Sequence, residues 1–159
     1  MGCRIISSEN EIRLFAPQQL RAVDFETAPH PGIATDVQPL FLAGLTKANG
    51  RSQIIENIFE NRFGHVAEYR RFGAQIEVDG RYVNIQGVDS LTAAPVEGRD
   101  IRAAAGMVIL GMMSEGTTQI RDPYHLDRGY EGLIVKMKSL GVPLNRFPLL
   151  ESRELIVGC

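Results

Sequence analysis

The sequence predicts an α/β (α+β) fold in which one supersecondary unit is used twice, after the tail of an earlier copy. Three observations predict it. The chain resembles itself at an offset of 66 residues: Gly50 recurs as Gly116, and Asn61-Arg62 recurs as Asp127-Arg128. Apolar residues at helical spacing (Val37, Leu40, Phe41, Leu45 and Ala48) mark one amphipathic segment. The pair Asp79-Gly80, between two short alternating runs, is a strong hairpin signal.

Each element follows from local chemistry. Residues 1–34 read as the end of a preceding unit, with strands near 3–7, 11–15 and 23–27. The first full unit, 35–99, opens with a helix near Asp36. Thr35 or Asp36 can cap it, Pro39 fits only its first turn, and Asn49-Gly50 stops it. A strand over 52–58 follows, then a helix from Arg62 to Gly73, then a hairpin of 75–78 with 82–85. The second unit, 100–159, repeats this with a helix over 101–114, a strand over 117–121 and a helix over 129–140. Strands near Leu144 and over 155–157 finish it. The order α-β-α-β-β occurs twice, and residues 1–159 read as a single partial domain with helices packed beneath sheets.

The bulk composition narrows the functions. The 159 residues are 44% hydrophobic, enough for one domain with a real core. The formal net charge is -2, so no basic face dominates and non-specific nucleic-acid binding is not expected. No run reaches the roughly 18 apolar residues of a membrane span, and the N-terminus lacks a signal-peptide layout. Cys3 and Cys159 lie near opposite ends; a disulfide between them and a reducing cytoplasm both fit. His30, His65 and His125 match no zinc-ligand spacing, so no metal is expected.

The chemistry centres on arginines and aspartates. In DPYHLDRGYEG, Arg128 falls where the spacing starts a helix. A cation is disfavoured there, because a helix start carries partial positive charge and bare N–H donors. Arg62 takes the matching place in the first unit, and Arg102 lies in the first turn of the helix that Asp100 opens. Either these arginines pair with local acids such as Glu60, Asp127 or Glu131, or they meet an anion through parallel hydrogen bonds. Asp36 and Asp100 are either plain N-caps or carboxylates held beside an anion site to handle a substrate proton. His125 reads as a satisfied buried histidine. The loop 28–32 is either a simple connection or a wall that fixes Asp36. Glycine-rich phosphate loops are absent.

Four stretches, PHPGIATD, ENIFENRF, LTAAPVEGRDIRA and YHLDRGYE, resemble in order the enolpyruvyl transferase family, and within it the UDP-N-acetylglucosamine 1-carboxyvinyltransferases. The resemblance runs from about Ala22 to Phe147. The 5-enolpyruvylshikimate-3-phosphate synthases share the fold but match ENRF and HLDRGYE less well. The resemblance implies βαβαββ units, three to each of two domains, with the site in the cleft between domains. It implies transfer of enolpyruvyl from phosphoenolpyruvate to the 3-hydroxyl of UDP-N-acetylglucosamine in peptidoglycan synthesis, in the cytoplasm, without metal or organic cofactor. On this resemblance Asp36 contacts the sugar hydroxyl as base, and Ile58 meets the UDP-sugar through its backbone. Arg128 binds phosphoenolpyruvate, Asp100 and Arg102 serve proton relay and anion binding, and Arg62 has a less defined binding role.

The departures shape the expectation. Only the last part of the family's length is matched, so the family's lysine-asparagine pair and loop cysteine have no counterpart. Neither Cys3 nor Cys159 lies in a motif. Arg99 stands where the family has a small polar residue, and Gly64 replaces a methionine. The ending LLESRELIVGC is unusual and suggests a partial last strand. The chain reads as a fragment or reduced relative of the transferase that needs a complementing domain or chain. A UDP-sugar- or anion-binding module without turnover and a structural repeat protein are the other readings.

Overall fold

The computed structural model describes residues 1–148 and 153–158. A hairpin of β1 (Arg4–Ser7) and β2 (Ile12–Phe15) opens the chain. The first unit is β3 (Phe25–Glu26), a 3₁₀ turn (Thr35–Val37), α1 (Gln38–Leu45), β4 (Arg51–Ile55), α2 (Val66–Arg70), β5 (Gln75–Asp79) and β6 (Tyr82–Gln86). The second is β7 (Pro95–Glu97), α3 (Ile101–Met113), β8 (Thr117–Arg121), α4 (Tyr124–Gly129), α5 (Leu133–Ser139), β9 (Leu144–Pro148) and β10 (Arg153–Gly158). The two sheets run β3-β4-β6-β5 and β7-β8-β10-β9, one order used twice. In each, the first pair is parallel and the others antiparallel. Gly50 and Gly116 have φ of 107° and 98°, and Gly73 and Gly141 have 85° and 84°, so the repeat seen in sequence extends to matching backbone conformations.

The core lies between helices and sheets. Alternation along β4 and β6 buries Ser52 and Ile54, Val83 and Ile85 on one face. α1 buries Leu42, Ala43 and Leu45, and α3 buries Ala104, Met107, Val108 and Leu110. The two helices pack on each other, joining the units into one core. Tyr69 pins the junction: its hydroxyl lies 3.3 Å from the Pro39 carbonyl on α1 and 3.3 Å from the Ala103 carbonyl on α3. Burial pushes the Tyr69 phenol well up, with the Asp100 carboxylate adding to the shift.

Several elements differ from the sequence reading. β4 stops at Ile55, so Ile58 lies in a loop; Glu56 turns inward and ends the strand. α2 begins at Val66, leaving Arg62 in the loop before it rather than at a helix start. The helix expected over 129–140 starts later, as α5, and an unexpected helix, α4, precedes it. α4 ends at Gly129, and Gly132, at φ 62°, precedes α5. Arg128 therefore lies in the last turn of α4, where a cation complements the helix dipole, and the apparent conflict in the sequence disappears. The β5–β6 turn is Gly80-Arg81, one residue on from Asp79-Gly80, with Gly80 at φ 56° in the first loop position. β7 was not foreseen, because three residues carry too little alternation to register. Cys159 and part of LLESRELIVGC lie outside the described residues, and with them the question of a disulfide to Cys3. Among the described residues no helix is long and apolar enough to cross a membrane.

Two predictions test this core. A Cβ on Gly106 would lie 1.6 Å from Tyr69 Oη and 3.1 Å from the Pro39 carbonyl, whereas one on Gly64 meets nothing within 4 Å. Gly106→Ala should cost about 1–3 kcal/mol or more, and Gly64→Ala should stay within about 0.5 kcal/mol, by urea denaturation. His65 is buried against Tyr69, with ring centroids 4.8 Å apart. Burial lowers its pKa from 6.5 to about 4, overriding the opposing pull of Asp100. Between these values the unfolded chain holds the proton and the folded chain does not. Stability must therefore fall as the pH drops from 6.5 toward 4, by roughly 3 kcal/mol at most. Urea midpoints at pH 7 and 4.5 should converge for His65→Gln relative to the parent; equal losses in both chains would contradict this.

Candidate functional site

The segment before α1 places the central carboxylate. The loop 28–32 closes on itself, with Ala28 N–H donating to the Ile33 carbonyl at 2.9 Å and Gly32 N–H to the Pro29 carbonyl at 2.8 Å. The 3₁₀ turn follows. Neither Thr35 nor Asp36 caps α1: the N-cap is Val37, with no side-chain hydrogen bond. The Thr35 hydroxyl instead donates inward to Glu56 at 2.9 Å. Asp36 points the other way, into a cluster of arginines.

Asp36 Oδ1 accepts from Arg62 Nη2 at 3.1 Å and from Arg102 Nε at 2.5 Å. Arg62 belongs to the first unit and Arg102 to the second, so the carboxylate bridges the two. Arg102 is held at the start of α3 by a true cap: Asp100 Oδ1 accepts from Arg102 N–H at 2.9 Å and Ala103 N–H at 3.0 Å. The Arg62 guanidinium also lies 5.1 Å from the centroid of the Phe59 ring. Asp36 remains 60% exposed, so these pairs contribute only about 0–1 kcal/mol each to stability. Such exposed charges gain little for the fold and remain open to a ligand.

A cleft of about 360 Å³ adjoins the cluster, lined in part by Arg62, His65, Glu97, Arg99, Asp100 and Arg102. Arg99 adds a cation at its rim, but its Nε and Nη2 donate to Glu97 Oε2 at 3.0 and 2.8 Å. That hydrogen bond and the charge of Glu97 raise the Arg99 pKa and offset much of its added charge locally. Among the described residues no group of His, Cys, Asp and Glu gathers as a metal site.

The structure brings together Asp36, Arg62, Asp100 and Arg102. Ile58 and Arg128 lie outside that cluster. Ile58 is partly exposed in the loop after β4, and its N–H donates to Glu56 at 2.9 Å. Arg128 lies in α4, which docks on the start of α3 so closely that a Cβ on Gly129 would lie 1.7 Å from Ile101 Cδ1. Its guanidinium is 5.9 Å from the Tyr124 ring centroid. The neighbouring Asp127 pairs with Arg146 of β9. His125, half-buried edge-on to Tyr124, has no hydrogen-bond partner at Nδ1 among the described residues, against the expectation of a satisfied histidine.

Sequence reasoning missed Glu56. This carboxylate is 1% exposed and accepts from Thr27 Oγ1 (2.8 Å), Thr35 Oγ1 (2.9 Å), Ile58 N–H (2.9 Å) and Phe59 N–H (3.2 Å). The signal available was a glutamate ending an apolar strand run, which the strand reading over 52–58 absorbed.

Comparison with known proteins places the chain in a family. The family model described as EPSP synthase (3-phosphoshikimate 1-carboxyvinyltransferase) matches residues 1–137. The UDP-N-acetylglucosamine 1-carboxyvinyltransferase of Thermodesulfovibrio yellowstonii is 52% identical over 138 residues, which is 87% of this chain and 33% of that protein. Its counterpart in Geotalea daltonii is 45% identical over 145 residues, 91% of this chain and 35% of that protein. The enolpyruvyl transferase NikO from Streptomyces tendae superposes with a TM-score of 0.80 at 25% identity, covering 100% of this chain and 35% of that one. EPSP synthase from Acinetobacter baumannii shares the fold, with a TM-score of 0.70 at 16% identity over 99% of this chain and 37% of its own. The chain thus spans about a third of the length of the relatives it matches. With these matches along nearly its whole length, the chain belongs to the EPSP synthase family of enolpyruvyl transferases.

Proposed function

We propose that this chain forms one wall of a site that transfers enolpyruvyl from phosphoenolpyruvate to the 3-hydroxyl of UDP-N-acetylglucosamine, a step of peptidoglycan synthesis in the cytoplasm. A complementing domain or chain supplies the other wall. The observation that carries the reading is Asp36, held between guanidinium groups from two repeat units beside a cleft. A substrate anion entering there competes with Asp36 for Arg62 and Arg102, and the released carboxylate can meet a sugar hydroxyl. Asp36 takes the hydroxyl proton as the sugar oxygen bonds to C2 of phosphoenolpyruvate, whose methylene carbon gains a proton. Loss of a proton from that carbon and of phosphate leaves the enolpyruvyl ether. Arg128 and Arg102 balance the donor's charge, Asp100 relays a proton, and the Ile58 backbone meets the UDP-sugar. A second reading, a UDP-sugar- or anion-binding module without turnover, is favoured by the exposed ion pairs of Asp36, whose arginines can exchange that carboxylate for another anion without any reacting group.

Phosphate release from phosphoenolpyruvate with UDP-N-acetylglucosamine separates the two. The 159-residue chain alone should show no turnover, because an open half-site lacks the preorganised surroundings that supply most of the rate. Joined to the remaining part of a relative, it should turn over. In that joined protein Asp36→Asn should cut turnover about 10²–10⁴-fold with little change in sugar-nucleotide binding. Its melting temperature should barely move, since asparagine keeps the shape and the ion pairs are exposed. Arg128→Ala should raise KM for phosphoenolpyruvate and lower kcat as well. If Asp36→Asn melts the protein and leaves the rate per folded molecule intact, Asp36 is structural.

A further inference from the structure

Glu56 is the most heavily hydrogen-bonded buried carboxylate among the described residues. Oε1 takes the Thr27 hydroxyl and the Ile58 and Phe59 N–H groups; Oε2 takes the Thr35 hydroxyl. Thr27 Oγ1 in turn accepts from Asn57 N–H at 2.9 Å. One side chain thereby joins the end of β3, the turn that carries Asp36, and the loop that carries Ile58 and leads to Arg62.

The repeat provides an internal control for what this hub does. Thr27 N–H donates to the Ile55 carbonyl at 2.9 Å, and Gly98 N–H donates to the Arg121 carbonyl at 3.1 Å, so Thr27 and Gly98 occupy matching places. At the 66-residue offset, Ile55 corresponds to Arg121 and Glu56 to Asp122. The second unit therefore builds the same parallel strand pair with glycine where the first has the threonine hydroxyl. Asp122 itself turns away in a left-handed conformation, φ 50°. The fold does not require the hub, and its presence in the first unit alone calls for a local reason.

We propose that Glu56 is a positioning residue: it fixes the Thr35-Asp36 turn and the Ile58-Phe59 loop relative to each other, and so sets the spacing between the Asp36 carboxylate and Arg62 and Arg102. The proposal refines the transferase reading and rests on it for the identity of the ligand. Glu56 touches no reacting atom. It acts by holding two backbone segments at a common point inside the protein, where a buried carboxylate is tolerable because donors surround it.

The test uses the 159-residue chain, with Glu56→Ala, Glu56→Gln and Thr35→Val, followed by NMR. Three signals are read: amide exchange at Ile58 and Phe59, the Arg102 Nε–H resonance that Asp36 protects, and affinity for UDP-N-acetylglucosamine. Glu56→Ala should speed exchange at both amides at least about tenfold and abolish the protected Arg102 signal, because no acceptor remains. Glu56→Gln retains one carbonyl acceptor and an amide that can donate to Thr35, and should restore most of both signals. Should Glu56→Ala fail to fold, Thr35→Val still decides: it removes one donor, and should weaken the Arg102 signal while Ile58 and Phe59 stay protected. An Arg102 signal unchanged in Glu56→Ala, or in Thr35→Val, would overturn the positioning role. Affinity judges the other reading separately. A parent chain that binds no UDP-N-acetylglucosamine counts against the proposed substrate, while the exchange signals still judge Glu56.

Discussion

The contact of α1 with α3 is the constraint on which the rest depends. Each repeat unit has a helix, α1 or α3, that is apolar nearly all round and that its own sheet cannot cover completely, and the two helices cover each other. Gly106 lets the backbones approach, and Tyr69 fills the space beside it and shares its one hydroxyl proton between a carbonyl on each helix. Burial holds that phenol in its neutral form, suited to donating. This junction sets the start of α3 against the turn before α1. Asp36 and Arg102, which are 66 residues apart in the chain, then meet at 2.5 Å.

The physical economy of the cluster distinguishes it from the core beneath it. Glu56 is buried and saturated with donors, whereas Asp36 is open and, among the described residues, held by two guanidinium groups. The first arrangement resists change; the second exchanges partners at little cost. A rigid base under an exchangeable surface suits a site that must hold its shape and admit anions of different size. His65 adds to the base, since an imidazole kept neutral by burial contributes no competing positive charge beside Arg62.

Much of this was legible in the sequence, for identifiable reasons. The second unit's first helix and the strand after it were placed almost to the residue, because Asp100 caps and Gly116 punctuates. Asp36, Arg62, Asp100 and Arg102 were candidates from the repeat and the family motifs, but Ile58 and Arg128 were candidates beside them, and nothing in the sequence set those two apart. Other features were not legible. α4 was missed because its six residues, ending at Gly129 where the helix reading over 129–140 begins, are too few to show a helical period. Arg128 consequently looked like a helix-start cation. Glu56 was read as part of a strand, since nothing local announces that Thr27 and Thr35, 29 and 21 residues away, will converge on it.

The central claim is that the ligand surface lies where Asp36 meets Arg62 and Arg102. A larger polar hollow, about 760 Å³, lies over the outer face of β4, β5 and β6, lined by Gln53, Glu77 and Asn84 among others. An NMR titration of the chain with UDP-N-acetylglucosamine decides between the two surfaces. The account predicts resonance shifts concentrated at Asp36, Ile58, Arg62, Asp100 and Arg102, with Gln53, Glu77 and Asn84 unmoved. Shifts confined to the sheet face, with the arginine cluster silent, would contradict it.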